Sequence, residues 1–479
     1  DAEMRINMEK KNTWETYSSK QLKELEKINA QYRDFLDNGK TERECIDTIV
    51  NTIEKSGYRE LESLIKKGAA LKTGDKVYSV WMNKSIAMFQ IGRKPMTEGM
   101  NILGAHIDSP RLDVKQNPLY EDGGFAYLDT HYYGGVKKYQ WVTIPLAIHG
   151  VIVKKDGTCV EINIGENEDD PVFFVSDLLI HLAQEQLEKK AAKVIEGEAL
   201  DIIVGNKPLL IDKKDKKKDE KEAGKEAVKA GVLDILKETY DISEEDFVSA
   251  ELEIVPAGKA REAGFDRSMI LAYGQDDRVC AYTSMQAMLD SDVTDRTMCC
   301  ILVDKEEIGS VGATGMQSHF FENAVAELMN LTGEYSELHV RRCLAHSCML
   351  SSDVSSAFDP TYASSFDKKN VAYLGGGMVI NKFTGARGKS GSNDANAEYL
   401  AHLRHIFDKA EVNFQTAELG KVDLGGGGTI AYILALYGMN VIDSGVAVLN
   451  MHAPWEATSK ADVYETYRGY KAFVEGASL

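Results

Sequence analysis

The chain has 479 residues, a formal net charge of −19 and a hydrophobic fraction of 43%. This length predicts two domains, and the acidity argues against nucleic acid or an anionic membrane as a partner, since both carry negative charge. No apolar run reaches the roughly 18 residues of a spanning helix, and the first segment is unlike a signal peptide. We therefore expect a cytoplasmic protein. Its seven cysteines contain no CxxC pair and are predicted to be free, buried thiols.

Helical patterns and short apolar runs organise the first hundred residues. Two helical patterns come first, and the second opens at Thr41 with Glu44 three residues on, the pattern of a capping box. Three predicted strands follow, at Val77–Met82, Ile86–Ile91 and Asn101–Ala105. The last of these runs directly into His106.

A change of sequence pattern, to stretches rich in β-branched residues, predicts a smaller, β-rich domain at 117–255. It is inserted between two parts of the first domain, at 1–116 and 256–479. Within it, 212–229 holds eight lysines and six acidic residues, and a segment so mixed in sign predicts a solvated loop. The other elements predicted there are strands at Val142–Val153 and Thr158–Ile164 and a helix at Asp177–Lys190.

Strand, loop and helix alternate after Pro256. This alternation predicts an α/β fold, a three-layer sandwich with a mostly parallel sheet. The predicted strands are Ser268–Tyr273, Met298–Val303, Ser347–Ser351 and Val446–Asn450. The predicted helices are Val279–Leu289, Phe321–Leu331, Ser392–Ala410 and Ala461–Glu475.

Side chains suited to metal chemistry follow five of the predicted strands. In open α/β sheets, ligand sites lie beyond the carboxyl ends of the strands, so residues far apart in sequence can converge there. Two imidazoles with three or four carboxylates and no thiolate suit zinc, manganese or cobalt in a catalytic site. The residues are His106, Asp276, Glu306 with Glu307, Asp353 and His452.

The number of these groups exceeds what one ion needs. A catalytic zinc ion usually takes about three protein ligands plus water, so two ions sharing a carboxylate would use them all. Asp276 is the natural bridge, although the spacing leaves its neighbour Asp277 as an alternative. The ligand sets are then His106, Asp276 and Asp353 for one ion, and Asp276, Glu307 and His452 for the other.

Two further carboxylates acquire roles in this hypothesis. Asp108, two residues after His106, can accept the second ring N–H and fix the imidazole tautomer. Glu306 remains unligated beside the metals, where it can take a proton from water and return it to a leaving amine. Each group also has an ordinary interpretation, since strand-end histidines and adjacent glutamates are common on solvated surfaces. Their joint occurrence at strand ends favours the metal site.

At these residues the chain resembles the aspartyl aminopeptidase and aminopeptidase I family of two-metal exopeptidases. The matching segments occur in the family's order and cover most of the chain outside the lysine-rich segment. They are GAHIDSPRLDVK (104–115), YGGVKKYQW (133–141), LLIHL (178–182), GQDDR (274–278), DKEEIGS (304–310), SSDVSSAFDPTY (351–362), GGGGTIA (425–431) and NMHAPWE (450–456).

The resemblance implies the same ligand sets for two divalent ions, most readily zinc, with cobalt or manganese also compatible. It implies that Glu306 is the general base and that Asp108 orients His106. His181, in LLIHL, matches the family's substrate-binding histidine that reaches a neighbouring subunit's pocket. The inserted domain would make dimer contacts, and the chain would form a homo-oligomer, a tetrahedral dodecamer.

Two departures from the family pattern fall around the expected substrate pocket. A stretch of Ser355–Asp359 replaces a histidine-bearing segment, and Asn381 replaces a lysine, with Lys382 one position later. A preference for neutral N-terminal residues, as in aminopeptidase I, is therefore at least as well supported as a preference for acidic ones.

These patterns together predict a metalloaminopeptidase that hydrolyses the N-terminal residue from peptides with a free N-terminus. A water activated by the two metals would attack, with Glu306 as general base. The same site could instead serve a carboxypeptidase or a deacylase of N-acyl amino acids, because specificity lies in pocket groups. A metal-stabilised scaffold protein with vestigial catalysis is the alternative outside the enzymes.

Overall fold

A computed structural model describes residues 12–210 and 225–479. The chain forms two compact units. The first comprises Asp1–Asp108, Ala260–Met451 and Trp455–Leu479, and the second comprises Ser109–Lys259 and His452–Pro454. The division predicted after residue 116 falls inside a strand, Arg111–Asp122, that belongs to the second unit. Among the described residues, no helix combines the length and apolar character needed to cross a membrane.

A nine-stranded mixed sheet forms the centre of the first unit. Its four middle strands are parallel to one another, whereas Ser85–Gln90 and Met378–Asn381 run antiparallel to their neighbours in this group. The spatial order is Arg59–Glu60, Lys76–Trp81, Ser85–Gln90, Thr297–Val303, Met100–His106, Cys348–Ser352, Asn440–Gly445, Met378–Asn381 and Phe414–Thr416.

Helices cover both faces of this sheet. Because successive side chains of a strand point to opposite faces, Leu103 and Ala105 join one buried apolar cluster while Ile102 joins another. Helices packed in the first cluster are Ser19–Asn38, Glu42–Glu54, Gln275–Leu289, Ala397–Lys409 and Lys460–Gly476. Helices packed in the second are Leu61–Lys67, Phe320–Thr332, Glu337–Ala345 and Ala431–Ala435. The α/β three-layer sandwich is thus present.

Capping residues set the start of several helices. The Thr41 hydroxyl accepts the Glu44 N–H at 3.1 Å, which is the N-cap half of the predicted capping box. The helix predicted from Ser392 begins only at Ala397, because Asn396 adopts an extended conformation and its side chain accepts the Tyr399 N–H.

A separate five-stranded sheet lies in the first unit and corrects one expectation. The strands Met269–Ala272 and Ala447–Leu449, which precede Asp276 and His452, belong to this sheet and not to the central one. Both are antiparallel to Glu456–Ser459, so they run parallel to each other. The spatial order is Arg261–Ala263, Met269–Ala272, Glu456–Ser459, Ala447–Leu449 and Ser355–Ser356.

The second unit is built on a six-stranded antiparallel sheet. Its spatial order is Cys159–Ile164, Leu146–Val153, Ala250–Pro256, Arg111–Asp122, Phe125–Tyr133 and Ile202–Gly205. Its helices are Gln184–Leu187, Ala191–Val194 and Ala227–Tyr240. The strand predicted from Val142 starts at Leu146, since Pro145 cannot donate to the ladder and Thr143 has a φ of +63°.

The helix predicted at Asp177–Lys190 is wrong. The chain instead forms a single 3-10 turn at Ile180–Leu182 and one helical turn at Gln184–Leu187. Most helical stability comes from packing of an apolar face, and the apolar side chains of this segment are exposed in the chain: Leu178, Leu179, Ile180, Leu182 and Leu187.

Two further sequence predictions concern the lysine-rich segment and the cysteines. The lysine-rich segment at 212–229 lies outside the described residues up to position 224, and its last residues begin the helix Ala227–Tyr240. All seven cysteines are free, and six of them are buried as predicted, whereas Cys159 is exposed.

Candidate metal centre

Three adjacent parallel strands of the central sheet carry the core of the predicted site. Met100–His106 ends in His106, Cys348–Ser352 is followed by Asp353, and Thr297–Val303 is followed by the turn that holds Glu306 and Glu307. Val303 pairs with His106 and Ser351 with Gly104. The carboxyl ends of the three strands therefore meet at one edge, as the sequence predicts.

His106 is fully buried and its two ring nitrogens have different surroundings. Nδ1 lies 2.9 Å from the carbonyl oxygen of Asp108 and 3.1 Å from its carboxylate. Nε2 has no hydrogen bond of good geometry among the described residues. It faces carboxylate oxygens of Asp276 at 3.2 Å, Glu306 at 3.6 Å and Asp353 at 3.6 Å.

This arrangement fits a metal ion. An imidazole that donates Nδ1–H to a carboxylate presents the Nε2 lone pair, which is the usual state of a histidine ligand. Two ligands about 2 Å from one tetrahedral ion lie roughly 3.3 Å apart, close to the observed spacings. Ligand atoms of His106, Asp276 and Asp353 all lie within 4.8 Å of one another, as do those of His106, Glu306 and Glu307.

Asp108 positions more than the imidazole. Its buried carboxylate also accepts the backbone N–H of Glu306 at 3.2 Å and of Glu307 at 3.0 Å. These bonds hold the 3-10 turn Glu306–Ile308, which Lys305 enters at a φ of +69°. One carboxylate thus orients both the histidine and the adjacent glutamates, a link that the sequence did not reveal.

The carboxylates of the neighbouring residues Asp276 and Asp277 contact different parts of His106. Asp276 faces Nε2 of His106, whereas an oxygen of Asp277 accepts the backbone N–H of His106 at 3.4 Å. Burial raises the pKa of Asp277 well above its ordinary value, and the charge of Asp353 adds to this. This geometry favours Asp276 over Asp277 as the ligand.

Glu456 supports this segment and was missed as a functional residue. Its buried carboxylate accepts the backbone N–H of Asp276 at 3.1 Å. The preceding Gln275 donates its amide to the carbonyls of Ile270 and Glu456 and accepts from Tyr32. A glutamate that opens a buried strand is an unusual placement, and that signal could have identified it.

The electrostatics of His106 reflect this acidic cluster. Burial alone lowers the pKa of the imidazole, but the negative charges of Glu306 and Asp353, together with the adjacent carboxylates of Asp108 and Asp276, raise it well above its ordinary value. A histidine ligand needs a neutral ring, and a cation in place of the proton satisfies the same carboxylates.

The glutamate beside His106 experiences a similar field. Burial raises the pKa of Glu306 to about 8; His106 opposes the shift, while Asp353 and Asp276 add to it. Burial likewise raises the pKa of Asp353. Buried carboxylates this close repel one another, and a divalent cation removes that penalty. The donor set and its charge therefore fit a metal site.

His452 belongs to the second unit. Its Nδ1 lies 2.8 Å from the carbonyl oxygen of Gly135, in the segment YGGVKKYQW. A ring that donates Nδ1–H presents Nε2 for ligation, the same state as that of His106. His452 also has a φ of +67°, which is uncommon for a non-glycine residue.

The predicted substrate-binding His181 also lies in the second unit. It occupies the 3-10 turn Ile180–Leu182 and is exposed. Its role remains a prediction.

The residues that depart from the family pattern are already engaged within the chain. Asn381 is buried and donates its amide to the carbonyl of Ala417 at 2.8 Å. The ammonium of Lys382 is paired with Asp394, which also binds Lys389 at 3.0 Å. Asn381 carries no charge and the Lys382 ammonium is already paired with a carboxylate, so neither offers an uncommitted cation for an acidic substrate side chain.

The chain is similar to known proteins over almost its whole length. The profile of the Aminopeptidase I zinc metalloprotease (M18) family matches residues 35–474. A probable M18 family aminopeptidase 1 from Clostridium acetobutylicum is 64% identical over 97% of this chain and 98% of its own length.

Solved structures share the fold over almost the whole chain. The crystal structure of an M18 family aminopeptidase from Thermotoga maritima has a TM-score of 0.91 and 44% identity, covering 98% of this chain and 100% of that one. The mApe1 dodecamer from S. cerevisiae has a TM-score of 0.74 at 20% identity, covering 94% and 96%. This chain therefore belongs to the Aminopeptidase I zinc metalloprotease (M18) family and is a metal-dependent aminopeptidase.

Proposed function

We propose that this enzyme removes the N-terminal residue from peptides with a free N-terminus, at a site that holds two divalent ions, most readily zinc. The observation that carries this proposal is the buried Nε2 of His106, which faces three carboxylates. The proposed ligand sets are His106, Asp276 and Asp353 for one ion, and Asp276, Glu307 and His452 for the other.

The bound metals would polarise the scissile carbonyl and favour ionisation of the attacking water. The chain's own residues have separate tasks. Asp108 holds Nδ1–H of His106 and the backbone of Glu306 and Glu307, so the groups that flank the substrate are oriented before it binds.

Glu306 is the proposed general base. Its side chain is 12% exposed, so Glu306 lies at the edge of the buried cluster. Its carboxylate takes a proton from water and later delivers it to the leaving amine. A cation bound nearby would lower the pKa of Glu306 from about 8 and so favour the basic form of the carboxylate at neutral pH.

The substitution Glu306→Gln tests this mechanism. It keeps the shape of the side chain but removes the base, so kcat should fall by about 10²- to 10⁴-fold. Metal content should be unchanged, since Glu306 is not among the proposed ligands. Glu327→Gln, on the exposed side of the helix Phe320–Thr332, is the matched control and should keep full activity. Near-normal turnover in Glu306→Gln would exclude Glu306 as the base.

A peptide panel tests the reaction class. An aminopeptidase cleaves free dipeptides and spares their N-acetylated forms, whereas a deacylase of N-acyl amino acids does the reverse. Release of the C-terminal residue would instead support a carboxypeptidase. Activity lost to a chelator and restored by zinc, manganese or cobalt would exclude a scaffold with vestigial catalysis and identify the effective metal.

A neutral N-terminal residue is the proposed preference. Asn381 stands where the family has a lysine, and its amide donates to a backbone carbonyl. The next residue, Lys382, is paired with Asp394. A rate profile across leucyl, alanyl, aspartyl and glutamyl substrates should therefore show higher kcat/KM for the neutral ones. Faster cleavage of aspartyl substrates would refute this preference.

A homo-oligomer, a tetrahedral dodecamer, is the proposed assembly. The support is that the S. cerevisiae mApe1 structure with the same fold is a dodecamer, together with the exposed apolar side chains around His181. Light scattering should give a mass twelve times that of one chain. If His181 serves a neighbouring subunit's pocket, His181→Ala should raise KM without changing metal content.

A further inference from the structure

Four consecutive glycines, Gly425–Gly428, form a glycine turn, and the space available for a side chain differs from one position to the next. A Cβ at Gly425 would collide with the carbonyl oxygen of Leu419, and one at Gly426 would collide with the backbone of Gly385 and Ala386. The fold therefore requires glycine at these two positions. Gly427 and Gly428 are different, because a Cβ there would meet only ordinary contact or open space.

Backbone conformation does not require glycine at Gly427 and Gly428 either. Neither position adopts a positive φ, and Gly428 is exposed. Glycine in an accessible, unstrained position costs conformational entropy without any gain within the chain. One use of such a residue is close approach of the backbone to a ligand.

The residue that follows these glycines is tied to the central sheet. The hydroxyl of Thr429 donates to a carboxylate oxygen of Asp443 at 2.6 Å. Asp443 lies in the strand Asn440–Gly445, directly opposite Ser351 of the neighbouring parallel strand. The next strand residue, Ser444, accepts the backbone N–H of Asp353 at 2.9 Å. The glycine turn is thus anchored beside a proposed metal ligand.

Buried polar atoms at this anchor remain unsatisfied. Asp443 is 2% exposed and Ser351 is fully buried. Neither Oδ2 of Asp443 nor Oγ of Ser351 has a hydrogen-bond partner among the described residues. Buried polar groups are normally paired, so this region has hydrogen-bonding capacity that the described part of the chain does not use.

The order of the strands fixes the order of the site residues along this edge of the sheet. From one side to the other, the strand ends carry Glu306 with Glu307, then His106, then Asp353, and finally the strand of Asp443 that anchors the glycine turn. In the proposed mechanism Glu306 would deliver a proton to the leaving amine, which would place that amine on the Glu306 side. The acyl part of the substrate, its N-terminal residue, then extends toward Asp353 and the glycine turn.

We infer that Gly427 and Gly428 form a wall of the pocket for the N-terminal residue of the peptide, and that the Thr429–Asp443 hydrogen bond holds this wall in place. The inference rests on the proposed aminopeptidase function. Glycine at these positions leaves room for a large neutral side chain, which packs against bare backbone. Thr429 and Asp443 are positioning residues.

The test is to add bulk to this wall and compare substrates of different size. In the metal-loaded enzyme, Gly428→Val should lower kcat/KM for leucyl substrates by about tenfold or more, the usual cost of poor fit in an apolar pocket. Glycyl substrates should lose far less, and metal content should stay constant. Gly428→Ala should give the same ranking with a smaller loss.

Gly476→Ala is the matched control for the alanine substitution. A Cβ at Gly476 makes only ordinary contact with Ile406 at 3.8 Å, and Gly476 lines a cavity with Asn101 and Ser347, close to the starts of central strands at the opposite edge. This variant should keep the wild-type profile for all substrates.

A second pair of variants tests the anchor. Thr429→Val removes the hydroxyl with little change of shape and should raise KM for every substrate. Thr429→Ser keeps the hydroxyl and should leave KM close to the wild-type value. Equal loss across all N-terminal residues in Gly428→Val, or no loss, would overturn the proposed wall. Absence of peptide turnover in the wild type would instead overturn the aminopeptidase function, so the two failures are distinguishable.

Discussion

The substitution Asp108→Asn should weaken metal binding while leaving the proposed ligands intact. The Asp108 carboxylate accepts from Nδ1 of His106 and from the backbone N–H groups of Glu306 and Glu307. Asparagine keeps one acceptor oxygen but places an amide donor at the other position. One buried N–H then faces a donor, and the imidazole loses its anionic partner.

The magnitude follows from these contacts. A buried donor without an acceptor costs about 1–3 kcal/mol, and loss of a partner that orients a metal ligand typically costs about 10- to 100-fold in metal affinity. We therefore expect zinc affinity to fall by about 10- to 100-fold. At saturating zinc, kcat should also fall, because the turn that holds Glu306 is less well positioned.

Competition with a chromophoric chelator measures the affinity, and peptide turnover across zinc concentrations separates binding from catalysis. Asp122→Asn, the same change at an exposed position of the strand Arg111–Asp122, is the control and should behave as wild type. Unchanged zinc affinity in Asp108→Asn would refute the positioning role inferred from the three hydrogen bonds.

Three further predictions address the site and the fold. In the metal-free protein, burial raises the pKa of Glu306 from 4.5 to about 8. Between these pH values the Glu306 carboxyl is deprotonated in the unfolded chain but protonated in the folded one, so the free energy of unfolding falls as pH rises. Urea titrations should show this fall, and Glu306→Gln should make the pH dependence smaller. Glu456→Ala removes the acceptor of the Asp276 N–H and should lower metal content at limiting zinc, which metal analysis after dialysis can measure. Thr41→Ala removes the hydrogen bond from the Glu44 N–H and should cost about 1 kcal/mol in unfolding free energy without changing kcat; a matching loss of activity would contradict its purely structural role.

Local patterns predicted most elements of the first unit. The strand Met298–Val303 was predicted from its apolar run and is observed at Thr297–Val303, because a strand buried on both faces is apolar throughout. The helix predicted at Ala461–Glu475 is observed at Lys460–Gly476. In both cases the local pattern and the burial in the folded chain agree.

Expectations that depended on distant partners were less accurate. The segment 177–190 has apolar residues at helical spacing but forms only short turns, since no core within its unit receives those side chains. The strands before Asp276 and His452 were expected in the central sheet, yet they pair with Glu456–Ser459 in a smaller one. Strand pairing joins residues far apart in the chain, and local periodicity carries no information about it.

The sequence by itself determined the family, the α/β class and the set of candidate metal-binding side chains, because residue types at strand ends and their order are local properties. Only the tertiary structure decided how these side chains are supported. It separated Asp276, which faces Nε2 of His106, from Asp277, which binds its backbone. It also showed that Asp108 holds Glu306 and Glu307 as well as His106. Such contacts depend on the register of neighbouring strands and on burial, which arise only when distant segments pack together.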